Sequence, residues 1–252
     1  FRNARMGKVY FASDFHLGTP DYETSLIREK KVVSWLKSIE QDCETLFLMG
    51  DVFDFWYEYK TVVPKNYSRL LGQLANMTDN GVKIYFFKGN HDMWTFDYLQ
   101  TEIGMTIIDE ELMLTMDDKK FFMHHGDGLW KSETTYNMIR KIFRSKWAIW
   151  LFHRLHPNFG IGLANFLSRT SRKKNSIADE QDIPLEKEHH YQFALNHAAT
   201  SDTDFYIFGH RHKPIDVQVG QKSRLINLGD WVTKFTYAEW DGKNITLHTY
   251  HN

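Results

Sequence analysis

The chain has 252 residues, 42% apolar, 15% aromatic and 25% charged, with a net charge of −1. That composition excludes a disordered chain and allows one large domain, or one domain carrying an insertion. A net charge so close to zero gives no global attraction to nucleic acid. The single cysteine, Cys43, excludes an intrachain disulfide and fits a reducing compartment.

Phe1-Arg2-Asn3-Ala4-Arg5 lacks the apolar core of a signal peptide, and Met6 is a candidate natural start. Val9-Tyr10-Phe11-Ala12 reads as a buried strand that ends at Ser13-Asp14-Phe15-His16. Leu26, Ile27, Val32, Val33, Leu36 and Ile39 recur at helical spacing over 24–39. A strand is expected at 45–49, running into Gly50-Asp51. Tyr67, Leu70, Leu71, Leu74 and Met77 predict a helix over 65–78, closed by Asn80-Gly81. Residues 82–87 form the next strand, ending at Lys88-Gly89-Asn90-His91-Asp92. Strand, helix, strand, helix, strand predicts a parallel sheet covered by helices. Shorter strands are expected over 106–125, a helix over 186–199, and a strand over 205–208 that ends at Gly209-His210-Arg211-His212. Alternating segments at 215–219, 224–228, 235–240 and 245–250 suggest antiparallel hairpins.

The stretch 131–175 differs from the rest. It holds ten Lys/Arg against one acid, Glu133, a local balance of +9, together with Met138, Ile142, Phe143, Trp147, Trp150, Phe159 and Phe166. We read it as a helical cap inserted into a core formed by 1–130 and 176–252. No run of about 18 uncharged apolar residues is present, so no membrane-spanning helix is expected.

Ligand-type side chains gather at the carboxyl ends of the predicted strands, where ligands collect in open α/β sheets. Imidazoles and carboxylates are the donors that water-activating divalent metals take. Asp14-Phe15-His16 and His210-Arg211-His212 each place two such groups at i and i+2, on one side of an extended chain. Gly50-Asp51 supplies a bridging carboxylate, Gly89-Asn90 an amide oxygen, and His125-Gly126-Asp127 another imidazole. Any one of these is most often a turn or a cap. Five at strand ends argue for a metal centre.

The ordered set Asp14-x-His16, Gly50-Asp51-x-x-Asp54, Gly89-Asn90-His91-Asp92, His125-Gly126 and Gly209-His210-x-His212 resembles the calcineurin-like metallophosphoesterases over about residues 8–230. The resemblance implies a four-layer αββα sandwich of α/β class with a two-metal site. One ion would be held by Asp14, His16, Asp51 and His212, and the other by Asp51, Asn90, His125 and His210. Mn²⁺ is the expected metal, with iron the alternative. Two such ions lower the pKa of a shared water and bind phosphoryl oxygens. The resemblance places His91 to stabilise charge or to protonate the leaving oxygen, with Asp54 orienting it.

Within that superfamily, Ser13-Asp14-Phe15-His16-Leu17-Gly18, Gly50-Asp51-Val52-Phe53-Asp54-Phe55-Trp56 and the basic apolar insertion are most similar to the UDP-2,3-diacylglucosamine pyrophosphohydrolases of lipid A biosynthesis. This implies cleavage to UMP and 2,3-diacylglucosamine 1-phosphate, by a cytoplasmic protein held peripherally at the inner membrane, with no nucleic-acid partner. Glu133, Arg169, Ser171, Lys174 and Asn175 would contact the UDP part. The best-known members carry Glu and Arg where this chain has Asp54 and His91, a pair found in general phosphoesterases. A two-metal phosphoesterase acting on another anionic lipid or nucleotide is therefore the second reading. A non-catalytic scaffold that keeps the fold is the third.

The remaining candidates have plainer readings. His124 is expected to be structural, and His153, His156, His189, His190, His197, His248 and His251 to be surface or core residues. Asp92 reads as the cap of a helix beginning near Trp94. Asp127 is either a turn residue or a group behind the ligands. Trp147, Trp150 and Phe152 read as packing within the cap.

Overall fold

The computed structural model describes residues 7–129, 134–179 and 183–251, without the side chains of 134–136 and 169–179. The chain opens with β1 (Lys8–Ala12), α1 (Tyr22–Ile39), β2 (Cys43–Leu48), α2 (Ser68–Asp79) and β3 (Lys83–Phe87). Asp21 starts α1, because its carboxylate accepts the Thr24 amide at 2.8 Å. Gly81 stops α2 with a φ of 91°, a backbone conformation that costs glycine little. A short α3 (Tyr98–Thr101) leads to β4 (Thr106–Ile108), β5 (Glu111–Met116) and β6 (Lys119–His124). Three helices follow: α4 (Thr134–Phe143), α5 (Lys146–His153) and α6 (Pro157–Asp179). The last part is α7 (His189–Ala198), β7 (Phe205–Phe208), β8 (Pro214–Val219), β9 (Ser223–Leu228), β10 (Thr236–Trp240) and β11 (Ile245–Thr249).

The strands form two sheets, ordered β11-β10-β1-β2-β3-β4 and β5-β6-β7-β9-β8. In the first, β1 to β4 are parallel and β10 and β11 antiparallel. In the second, β6, β7 and β9 are parallel, with β5 and β8 antiparallel at the edges.

Alternation along each strand explains the layering. Tyr10 and Ala12 of β1 and Leu46 and Leu48 of β2 pack with Val32, Trp35 and Leu36 of α1 and Leu70, Leu74 and Met77 of α2. The intervening Phe11 and Phe47 turn the other way, onto Phe121 and Met123 of β6 and Ile207 of β7. On the far side of the second sheet, Phe122, Tyr206 and Phe208 receive Ala194 and Phe193 of α7. The result is the expected helix–sheet–sheet–helix sandwich.

Helices α4 to α6 lie over one end of it. Trp94 Nε1 donates to Phe143 O at 2.9 Å, and the Tyr57 hydroxyl donates to Ile149 O at 3.0 Å. Phe152 packs on both rings, with centroids 4.7 Å from Trp94 and 4.6 Å from Tyr57. Trp147 and Trp150, expected to pack inside the cap, instead face solvent at 70% and 50% exposure. Among the described residues, Phe152 is the member of that stripe that packs on the body, and with the Tyr57 bond to Ile149 O it anchors α5 there. Among the described residues no helix is long and apolar enough to cross a membrane.

Candidate active site

Five loops leave the carboxyl ends of β1, β2, β3, β6 and β7 and converge. The loops after β1 and β2 stay paired beyond the strands: Asp14 N donates to Gly50 O at 3.0 Å and His16 N to Asp51 O at 2.9 Å. The i and i+2 argument from an extended chain does not hold here. Asp14 (φ 56°), His16 (φ 45°), Asp51 (φ 52°), His210 (φ 67°) and His212 (φ 51°) all take the left-handed conformation, which non-glycine residues rarely adopt and which gathers at functional sites. The turns still bring Asp14 and His16 together, but they send His210 and His212 to different places. His212 joins Asp14 and His16, whereas His210 joins Asp51 and His125; within each trio the ligand atoms lie within 4.8 Å of one another. Gly89 is required by close approach, since a Cβ there would run into Asp51 Oδ1 and the Asp51 amide.

The donor sets suit a divalent cation. Asp14 Oδ2 accepts the His210 amide at 2.9 Å. Asp14 Oδ1 is buried and receives no hydrogen bond, yet it faces His212 Nε2 at 3.2 Å and His16 Nε2 at 3.5 Å. Those two nitrogens are 3.0 Å apart. Asp51 divides its oxygens in the same way. Oδ1 accepts the His91 amide at 2.9 Å, while Oδ2 lies 3.4 Å from His125 Nε2 and 3.8 Å from His16 Nε2. His125 Nδ1 donates to Met49 O at 2.8 Å, which leaves Nε2 with a lone pair turned toward Asp51 and Asn90 Oδ1, the latter at 3.3 Å. Carboxylate oxygens and imidazole nitrogens converging at these distances form a donor set that a divalent cation takes.

Burial would raise the Asp14 carboxyl, but the imidazoles of His16 and His212 facing it outweigh burial and hold it well below the carboxylate range. Burial is likewise overcome at Asp51 by the charges of His125 and His91, and its pKa is low. Burial lowers His125, and Asp51 more than reverses this, to about 10. The carboxylates are thus poised as anions.

His91 reaches the rim of this cluster, its ring edge-on to His16 with centroids 5.0 Å apart. Its Nδ1 donates to the backbone carbonyl of Asp54 at 2.9 Å, while the Asp54 carboxylate stands at 3.7 Å. The expected pairing of side chain with side chain is therefore made mainly through the main chain. Ser168 of α6, which no sequence signal singled out, reaches the same pair: its Oγ is 3.1 Å from His91 Nδ1 and 3.2 Å from Asp54 Oδ2.

Asp92 is not a helix cap, since α3 begins at Tyr98. It is a fully buried clasp between two site loops, accepting Val52 N and Gly89 N at 2.8 Å, Asp51 N at 3.3 Å and Phe53 N at 3.4 Å. Burial and the Asp51 charge push it up to about 7. Asp127, buried, pairs with Arg140 Nε of α4 at 3.1 Å and so ties the cap to the His125 loop. His124 and His190 are buried and structural. The first accepts the Gly126 amide at 2.8 Å, and the second donates to Gly126 O at 3.1 Å. Glu133 lies outside the described residues, as do the side chains of Arg169, Ser171, Lys174 and Asn175 on α6.

Beside His91 and Asn90 a cavity of about 470 Å³ opens between the body and the cap, walled by Phe55, Trp94, Phe143, Phe152 and Leu167. The cluster can hold metal and the cavity can hold an apolar group next to it.

Residues 7–214 match the calcineurin-like phosphoesterase family. A protein of Porphyromonas gingivalis named UDP-2,3-diacylglucosamine hydrolase is 35% identical over 254 residues, covering 96% of this chain and 97% of that one. Proteins of the same name from Haemophilus influenzae and Aeromonas hydrophila are 26% and 27% identical. They cover 90% and 88% of this chain, and 91% and 89% of their own. With a match across most of its length, and with acids and imidazoles gathered at five strand ends, the chain belongs to the calcineurin-like phosphoesterase family of metal-dependent hydrolases.

Proposed function

We propose that this protein hydrolyses the pyrophosphate of UDP-2,3-diacylglucosamine, releasing UMP and 2,3-diacylglucosamine 1-phosphate for lipid A biosynthesis. The observation that carries the reading is the apolar cavity opening directly beside Asn90 and His91, at the edge of the metal-ligand cluster. A substrate with acyl chains next to a diphosphate needs that adjacency. The shared name of the full-length relatives supports the same substrate.

Asp14, His16, Asp51 and His212 would hold one divalent ion, and Asp51, Asn90, His125 and His210 the other, with Mn²⁺ favoured over iron. When bound, such ions lower the pKa of water and offset phosphoryl charge. The protein's own part is positioning. Met49 O fixes the His125 tautomer, the His91 amide holds one Asp51 oxygen so that the other faces His125 and His16, and Asp92 locks together the loops that carry Asp51 and His91. His91, held through Nδ1, keeps Nε2 for the phosphate, where it stabilises charge or gives a proton to the leaving sugar phosphate. Glu133, Arg169, Ser171, Lys174 and Asn175 are assigned to the UDP part.

The exposed Trp147, Phe159 and Phe166, with Arg154 stacked 4.4 Å over Trp150, suit a cap that rests on an anionic bilayer. This supports a peripheral place on the inner membrane. Vesicles with phosphatidylglycerol should retain the protein, and Trp147→Glu with Phe166→Glu should release it.

The Asp54–His91 pair favours a second reading, a two-metal phosphoesterase for a different anionic lipid or nucleotide, because a histidine can donate a proton where an arginine only stabilises charge. Phosphorus NMR separates the two. UMP and sugar phosphate signals from UDP-2,3-diacylglucosamine with Mn²⁺ support the first. No change in that substrate, with turnover of a simple phosphodiester, leaves the second.

A further inference from the structure

We propose that Ser168 is a positioning residue that makes the catalytic geometry of His91 depend on the cap. The proposal rests on the role given to His91 above. Three contacts support it. Ser168 Oγ lies 3.1 Å from His91 Nδ1, 3.2 Å from Asp54 Oδ2 and 3.3 Å from Asp54 O.

Chemistry orders these contacts. A carbonyl only accepts, so His91 Nδ1, 2.9 Å from Asp54 O, carries a hydrogen. Ser168 Oγ then accepts from Nδ1 and spends its own hydrogen on the Asp54 carboxylate. The three groups form a one-way chain, Nδ1–H to Oγ–H to Oδ2. That chain fixes both the tautomer and the plane of the ring, and it leaves Nε2 as the nitrogen for the substrate.

Asp54 and His91 stand on loops of the body, whereas Ser168 stands on α6, and 114 residues separate it from Asp54. Without Ser168 the ring keeps the carbonyl of Asp54 but loses its hydrogen-bonded link to the carboxylate, 3.7 Å away. Ala164, Leu167 and Ser168 of α6 all line the cavity. An apolar tail lodged there bears on the helix that steadies His91. Tail binding would thus be converted into correct placement of the group that acts at phosphorus, which raises kcat and not only affinity.

A double-mutant cycle tests this. Ser168→Ala, His91→Ala and the double variant are assayed with wild type and Mn²⁺, in parallel on UDP-2,3-diacylglucosamine and on bis(p-nitrophenyl) phosphate. Manganese content is measured for each. A misplaced catalytic group costs up to about a hundredfold, so Ser168→Ala is expected to lose about tenfold in kcat with KM and bound manganese unchanged. In the His91→Ala background the same change should cost nothing further. Equal losses in both backgrounds, or a loss confined to KM, would overturn the proposal and leave the role of His91 standing. A wild-type rate in His91→Ala would overturn both. Activity on the aryl diester alone would sink the substrate reading, while the cycle on that diester still decides the role of Ser168.

Discussion

Single side chains carry most of the chemistry, and their roles separate cleanly by what each atom touches. Asp51 Oδ2 stands between the His125 and His16 nitrogens, so Asp51→Ala is expected to abolish activity and to lose bound metal, as read by metal analysis of the purified protein. His91 stands beside the cluster, with ligand atoms of His16 and Asp51 within 4.8 Å, while its Nδ1 is held by Asp54 O. His91→Ala should keep both ions and lose about a hundredfold or more in kcat; loss of the ions would mean that it is a ligand instead. Asp92 is a structural test. Its carboxylate holds amides from two loops, so Asp92→Ala should cost about 3 kcal/mol in denaturant unfolding, and Asp92→Asn less. That these acids and imidazoles would cluster was legible in the sequence because strand ends in a parallel sheet are where such groups gather. The turns that aim them were not, since five left-handed residues are a product of loop against loop. Asp92 misled because a carboxylate that accepts distant amides looks the same in sequence as one that caps the next helix.

At the level of elements, the parallel strands announced themselves as short apolar runs, and the cap as a basic, aromatic helical stretch. What the cap touches was beyond sequence. Amphipathic spacing says that one face of α6 is apolar, but which residue meets His91 depends on how Trp94, Tyr57 and Arg140 seat the three helices on the body. The same limit hid the exposure of Trp147 and Trp150. The cavity under the cap gives an element-scale test. Leu167 lines it at 54% exposure, and Leu167→Arg should raise KM for UDP-2,3-diacylglucosamine by about tenfold. Hydrolysis of bis(p-nitrophenyl) phosphate should be untouched. Equal effects on both substrates would place the damage in the metal centre and not in the cavity.

For the molecule as a whole, one acid-sensitive contribution to stability comes from two histidines buried as neutral groups, His124 at the end of β6 and His190 on α7. Burial lowers His124 from 6.5 to about 4, and it lowers His190 as well. Between those pH values the unfolded chain binds the proton that folded His124 refuses, so the contribution of His124 is complete above pH 6.5 and falls as pH drops toward 4, by about 3 kcal/mol, while buried Asp92, raised to about 7, contributes in the opposite direction. His124→Asn keeps an acceptor for the Gly126 amide and should flatten that fall in urea titrations, leaving the part due to His190. In the proposed reaction, the sandwich's metal-ligand cluster and its apolar cavity act together so that water attacks the phosphorus on the uridine side of an acylated nucleotide sugar. Hydrolysis of UDP-2,3-diacylglucosamine in ¹⁸O-water, followed by mass spectrometry of both products, tests it most directly. The label is expected in UMP alone. Label in the sugar phosphate, or no hydrolysis with Mn²⁺ present, would contradict the account.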